Sequence, residues 1–267
     1  MKKTHMLFTM FFAFLLMLPF WQRIHVAPMA SAAEAQKPML AIVIDDFGED
    51  RRGVDQMLSV PAPLTCAIMP DLEFSSNDAE RAHAAGHEVI LHMPMESKTN
   101  LPRNWYGPRM IHNWDSEDDA KQTFLECLES VPHAVGANYH IGTGVSENKK
   151  LMTAILEAAK EKGIYFLDSK TTMHSSGPVA AASVGANFVS RDLFLEKGGP
   201  NYAYAKNVLK EAVKIAKQNG AAVVIGHVGP MGKDQTGKAI LDSLSFIREE
   251  GVEIVPLSKI VDNTKRV

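Results

Sequence analysis

From Met39 onward the sequence predicts an α/β fold, barrel-like or open, built on mostly parallel strands. Three observations carry this. Short β-rich runs alternate with amphipathic helical stretches. Several of those runs are continuously apolar, as parallel strands covered on both faces are. Ionisable residues gather at the ends of the runs, on the side where α/β folds bind ligands.

The predicted strands are MLAIVID (39–45), LTCAIM (64–69), EVILHM (88–93), VGANYH (135–140), IYFLDS (164–169), NFVS (187–190), AAVVIGH (221–227) and VEIVPL (252–257). Between them, Ser116 opens a helix with an acidic first turn and a buried stripe of Phe124, Cys127, Leu128 and Val131. Ser146 opens a second, with Leu151, Met152, Ile155, Leu156 and Ala159 on one face and Gly163 as its stop. A third carries Tyr204, Val208, Leu209, Ala212, Val213 and Ala216 and ends at Asn219-Gly220. No linker or internal repeat divides residues 36–267, which read as a single domain.

Composition excludes several classes. With 46% hydrophobic and 22% charged residues the chain folds rather than staying disordered. A balance of 28 basic against 31 acidic residues leaves no footprint for nucleic acid. Two cysteines make neither a disulfide framework nor a Cys-based zinc module, and Cys66 and Cys127 read as inert core thiols.

The N-terminus reads as an address. Lys2 and Lys3 precede an apolar run from Met6 to Phe20, shorter than the roughly 20 residues that span a bilayer. Ala30-Ser31-Ala32 and Ala33-Glu34-Ala35 offer cleavage sites, so residues 1–35 are expected to be a signal peptide. The alternative is a retained membrane anchor, since Trp21–Met29 is still fairly apolar. Either way the domain is exported, to the envelope or beyond.

The strand ends deliver Asp45-Asp46, His92, His140, Asp168, Arg191-Asp192 and His227. Each has a plain alternative as a helix cap or a satisfied core histidine. Adjacent carboxylates, however, repel unless a cation or proton sits between them, and imidazole with carboxylate is a donor set that zinc prefers. His83, His87, His112, His133 and His174 have no such placement and read as surface or loop residues. The segment Ser97–Trp114 breaks the strand–helix rhythm. Its tryptophans either wall a sugar-binding cleft or pin a long loop to the body.

The stretches AIVIDDFG, AAGHEVILHMPME, VGANYHIGTGVSENKKLM, YFLDSKTT and VVIGHVGP, in that order, resemble the divergent polysaccharide deacetylase family. This is a branch of the carbohydrate esterases that remove N- or O-acetyl groups from chitin-like or peptidoglycan polymers. The resemblance covers residues 38–262. It implies a distorted (β/α)-barrel of about seven or eight mostly parallel strands, with a divalent-metal site, zinc by expectation, at its top.

Carried onto this sequence, the resemblance makes Asp45 the general base and Asp46 a metal ligand. His92 matches the first ligand histidine, and Glu96 stands where a second histidine is usual. The third motif falls on Asn138-Tyr139-His140-Ile141-Gly142 without its arginine, and His140 supplies the missing ligand. Asp168 lies near the place of the acid that tunes the catalytic histidine, and His227 matches that histidine, the general acid. Glu96, Asn138, Trp105 and Asp192 complete the expected site as substrate contacts, with Glu96 also open as a further ligand beside Asp46, His92 and His140.

The resulting expectation is a metal-dependent hydrolase that removes acetyl groups from a cell-envelope or extracellular polysaccharide. The missing arginine and Glu96 keep a second reading open, a non-catalytic carbohydrate-binding protein of the envelope. An amidase or phosphoesterase is a weaker third, because the sequence has no Gly-rich phosphate cradle.

Overall fold

The computed structural model describes residues 37–264, so the predicted leader lies outside the described residues. The apolar run after Pro38 forms β1 (Met39–Phe47), buried along nearly its whole length. It is followed by α1 (Val54–Leu58), β2 (Thr65–Ile68), α2 (Ser75–Ala84), β3 (Glu88–Met95), α3 (Glu117–Glu129), β4 (Ala134–Ile141), α4 (Lys149–Glu161), β5 (Tyr165–Asp168) and α5 (Gly177–Val184). The chain continues with β6 (Phe188–Ser190), β7 (Leu193–Phe194), α6 (Tyr202–Asn219), β8 (Ala221–His227), α7 (Gly229–Leu241), α8 (Leu244–Glu249), β9 (Glu253–Ile254) and α9 (Leu257–Thr264).

Eight parallel strands, in the order β6-β5-β4-β3-β2-β1-β8-β7, curl into a half-barrel, and β9 pairs with the start of β1. β6 and β7 are successive parts of one extended run. The first pairs with β5 and the second with β8, so residues 188–194 reach from one edge of the curled sheet to the other.

Side-chain alternation sorts the core into two clusters. Leu40, Ile42 and Ile44 of β1 pack with Phe124, Ile155 and Leu209 of the covering helices. Met39, Ala41 and Val43 point the other way, into the barrel, with Ile90, Leu167, Val223 and Ile225. Leu257, Ile260 and Val261 of α9 join this inner cluster and seal the barrel beside the start of β1. The next residues on the inner side of β1, β3 and β8 are Asp45, His92 and His227, so the apolar plug ends where the polar site begins.

Local chemistry explains the helix ends. Ser116 Oγ accepts from the Asp119 N–H at 3.1 Å, as expected of an N-cap. The next helix starts later than the sequence predicts. Ser146 lies in a preceding 3-10 turn, and Asn148 caps α4 by accepting from Lys150 and Leu151. Gly220 ends α6 at φ 85°, a left-handed position that suits glycine. The run 252–257 holds only the two-residue β9, because Pro256 interrupts it and α9 follows.

Cys66 and Cys127 are both free and buried, and burial pushes the Cys127 thiol up to about 12. His87 departs from its expected surface position: it is buried, bonded to Leu58 O and accepting from Leu64 N. Among the described residues no helix is long and apolar enough to cross a membrane.

The inner plug carries a testable cost. Replacing Ile90, fully buried among the inner residues, with Ala should destabilise the fold by about 2–5 kcal/mol in urea titrations. The same change at Val179, which is 59% exposed, should cost less than about 0.5 kcal/mol.

Candidate active site and metal centre

Strict alternation would aim Asp45 and Asp46 to opposite faces of β1. The backbone prevents this. Asp46 takes a left-handed φ of 72°, and the register against β2 slips between Ile44 and Phe47. This bulge turns Asp46 toward the same cavity as Asp45. Gly48 completes the turn at φ 122°, where a Cβ would lie 3.2 Å from Met69 O. Its N–H donates to the buried carboxylate of Asp78 at 3.1 Å. Ile141, directly after His140, also holds φ 62°, a costly conformation for a β-branched residue and one found where function over-determines the backbone.

The result is a compact cluster. Asp46 Oδ1 lies 3.0 Å from His140 Nδ1 and 3.3 Å from His92 Nε2, and the two ring nitrogens are 3.2 Å apart. Each imidazole is oriented by its other nitrogen. His92 Nδ1 donates to Asn138 Oδ1 at 2.7 Å, and His140 Nε2 donates to the Trp105 carbonyl at 3.0 Å. These partners set the tautomers, leaving the facing nitrogens as lone pairs. Asp46 Oδ1 is buried without a hydrogen-bond donor. Three acceptors converging on one point, with ligand atoms within 4.8 Å of one another, fit a divalent cation.

Proton equilibria show the same demand for positive charge. Burial alone would raise the Asp46 carboxyl, but positive charge on the His140 and His92 side, in the place an ion would take, holds it well below the carboxylate range. Burial would lower His92, yet Asp45 and Asp46 raise it.

Asp45 is 2% exposed and accepts from Asn138 Nδ2 at 2.8 Å. Burial raises its carboxyl despite the opposing His92 and His227, as suits a group that takes up a proton. His227 Nδ1 donates to Glu196 Oε2 at 2.9 Å, and the His227 N–H donates to Glu196 Oε1 at 3.1 Å. Thr236 Oγ1 donates to the same carboxylate. Burial would lower His227, but this hydrogen bond and the neighbouring acids hold it at about 9. Asp45, Asp46, His92, His140 and His227 share one cavity of about 660 Å³, whose apolar walls include Leu72, Trp105, Phe194 and Met231.

Residues 42–261 match the family described as divergent polysaccharide deacetylase. The chain belongs to this family. It is 33% identical over 218 residues to the uncharacterized protein YibQ of Escherichia coli K12, a match spanning 80% of this chain and 66% of that protein. A crystal structure of an uncharacterized Agrobacterium tumefaciens C58 protein superposes with a TM-score of 0.77 at 20% identity, covering 85% of this chain and 91% of that one. The Bc1960 peptidoglycan N-acetylglucosamine deacetylase has the same fold at 14% identity, with a TM-score of 0.53 over 84% of this chain and 87% of its own.

In this divergent polysaccharide deacetylase several expected site residues stand elsewhere. Asp168 does not touch His227. Alternation places it on the face of Phe166 rather than that of Leu167, where it accepts from Tyr139 Oη at 2.6 Å and from Lys170 N at 2.8 Å. Glu196 holds His227 instead. The signal for it was present in LFLE, an apolar run ending in an acid, but β7 is only two residues long and too short to read as a strand.

Asn138 is fully buried and bridges Asp45 to His92, its register neighbour on β3, so it positions two site residues and has no face for substrate. Glu96 accepts from Asn113 N at 2.7 Å and ties down the 97–114 segment, outside both the cluster and the cavity lining. Asp192 accepts from Val223 N at 2.8 Å, clasping the start of β7 to β8 away from the cavity. Trp105 does line the cavity and is 56% exposed. The loop is pinned by buried Tyr106, Met110 and Ile111 and not by its tryptophans, since Trp114 is 72% exposed.

The His227–Glu196 pair has a defined pH signature. A proton held at about 9 against a reference of 6.5 stabilises the fold fully below about pH 6.5, and the effect is lost as pH rises through 9. In chelator, the stability advantage of wild type over Glu196→Gln should therefore be larger at pH 6 than at pH 10. A pH-independent difference in urea titrations would show that Glu196 does not hold the proton.

Proposed function

We propose that this protein is a metal-dependent hydrolase that removes acetyl groups from a cell-envelope or extracellular polysaccharide. The observation that carries the reading is the set of three converging acceptors, Asp46, His92 and His140, in one cavity with a buried carboxyl and a glutamate-held histidine. The shared fold with a peptidoglycan N-acetylglucosamine deacetylase and the predicted leader support the substrate class and its location.

Asp46, His92 and His140 would hold the ion, zinc by the chemistry of the donors. When bound, it supplies Lewis-acid polarisation of an acyl carbonyl and lowers the pKa of water beside it. Asp45, kept in place by Asn138, takes the proton from the attacking water. His227, kept protonated by Glu196, gives its proton to the departing amine or hydroxyl. Trp105 offers a flat apolar face to a sugar ring at the cavity wall. Asn138 holds the Asp45 carboxyl in place by its hydrogen bond, while burial gives that carboxyl a raised affinity for protons.

Metal content is the deciding measurement. The exported chain offered zinc should retain one ion, and His92→Ala or His140→Ala should lose it. Asp45→Asn should keep the ion while acetate release from N-acetylated glycans falls by at least about 100-fold. Asn138→Ala should weaken zinc binding by about 10–100-fold, because it releases the His92 ring. Saturable glycan binding with no retained metal and no acetate release would instead establish a carbohydrate-binding role.

A further inference from the structure

Two structures meet at Trp105. Its main-chain carbonyl accepts the His140 Nε2 proton, while its indole stands exposed at the cavity wall. His92 takes its orienting bond from Asn138 on the adjacent strand. His140 takes its own from a 3-10 turn, Arg103–Trp105, inside the long 97–114 segment. Both imidazoles stand on strands, but the ring of one is oriented by the sheet and the ring of the other by a loop.

That turn is braced by groups that touch neither the cluster nor the cavity. The Arg103 guanidinium donates to Gly107 O at 2.6 Å and to Pro108 O at 2.9 Å, closing the turn on itself. Tyr106, 3% exposed, anchors it from beneath, its hydroxyl accepting from Ser97 N at 3.1 Å. The carbonyl decides which His140 nitrogen carries the proton. With Nε2–H donated outward, only Nδ1 presents a lone pair toward Asp46 and His92.

We propose that Trp105 is a positioning residue for the metal centre through its carbonyl and a saccharide-bearing surface through its indole, so that ion binding and glycan binding are thermodynamically linked. The proposal rests on the deacetylase-site reading above. Linkage is reciprocal: whatever factor the ion adds to glycan affinity, the glycan adds to ion affinity. All three acceptors stand on strands, and what the Arg103–Trp105 turn adds is the bond that orients the His140 ring.

The test uses the chain expressed from its full-length sequence with Trp21→Phe and Trp114→Phe, which leaves Trp105 as the only tryptophan. Zinc affinity is measured by competition with a chromophoric chelator, and Trp105 exposure by acrylamide quenching. Arg103→Ala should lose about 10–100-fold in zinc affinity although Arg103 touches no ligand, and Arg103→Lys should recover part of the loss. Tyr106→Phe, a milder change that keeps the buried ring, should weaken zinc in the same direction.

Trp105→Ala keeps the carbonyl and should hold zinc affinity within about twofold. In the Asp45→Asn background, where turnover is blocked, a chitin pentasaccharide should tighten zinc about fivefold or more, and zinc should tighten the pentasaccharide equally. Zinc should also reduce quenching of Trp105. Equal zinc affinity in wild type, Arg103→Ala and Tyr106→Phe, with unchanged quenching, overturns the linkage and leaves the site reading standing. A wild-type chain that holds no ion overturns both.

Discussion

Everything at the top of this barrel depends on the two-residue repeat of its strands. Parallel pairing fixes which side chains of β1, β3, β4 and β8 face inward, and the inner positions run from apolar plug to polar site without a change of face. Val43 is followed on that side by Asp45, Ile90 by His92, and Ile225 by His227. The stability of the plug and the convergence of the site are thus one property, set by register. The exception is Asp46, which reaches the site only because β1 breaks its alternation with a bulge and a left-handed residue.

Around that frame the site is organised by neutral bridges more than by ion pairs. A single buried amide, Asn138, satisfies Asp45 with its N–H and His92 with its oxygen. A carbonyl from Trp105 does the same for His140. Both leave charge to be supplied at the centre, where Asp46 Oδ1 has no donor. An arginine beside Asp45 would supply charge permanently and lower that carboxyl. The amide instead orients the group with a hydrogen bond whose lowering effect burial outweighs.

The fold sets this protein beside deacetylases of low sequence identity, and its own features lie in what decorates the barrel. The 97–114 segment covers one wall of the cavity and reaches a residue of the cluster. The run 188–196 spans the edges of the curled sheet and ends in Glu196 beside His227. Both are irregular segments whose main chain, as much as their side chains, builds the site.

The sequence by itself determined the α/β class, the strand-end placement of Asp45, His92, His140 and His227, and the family. These rest on local patterning: apolar runs of strand length, each ending in an ionisable group. What only the tertiary structure decided is which way the remaining polar groups face and which backbone atoms meet them. Asp168 closes its apolar run as Asp45 does, but one position out of phase, and so bonds Tyr139 on the outer face. Glu196 follows a strand of two residues that becomes a strand only by pairing with β8. Asn138 reads as a polar contact until its neighbours, 93 residues away at Asp45 and 46 at His92, are known. Alternation is local and legible; phase between strands, bulges and carbonyl partners arise only when distant segments pack.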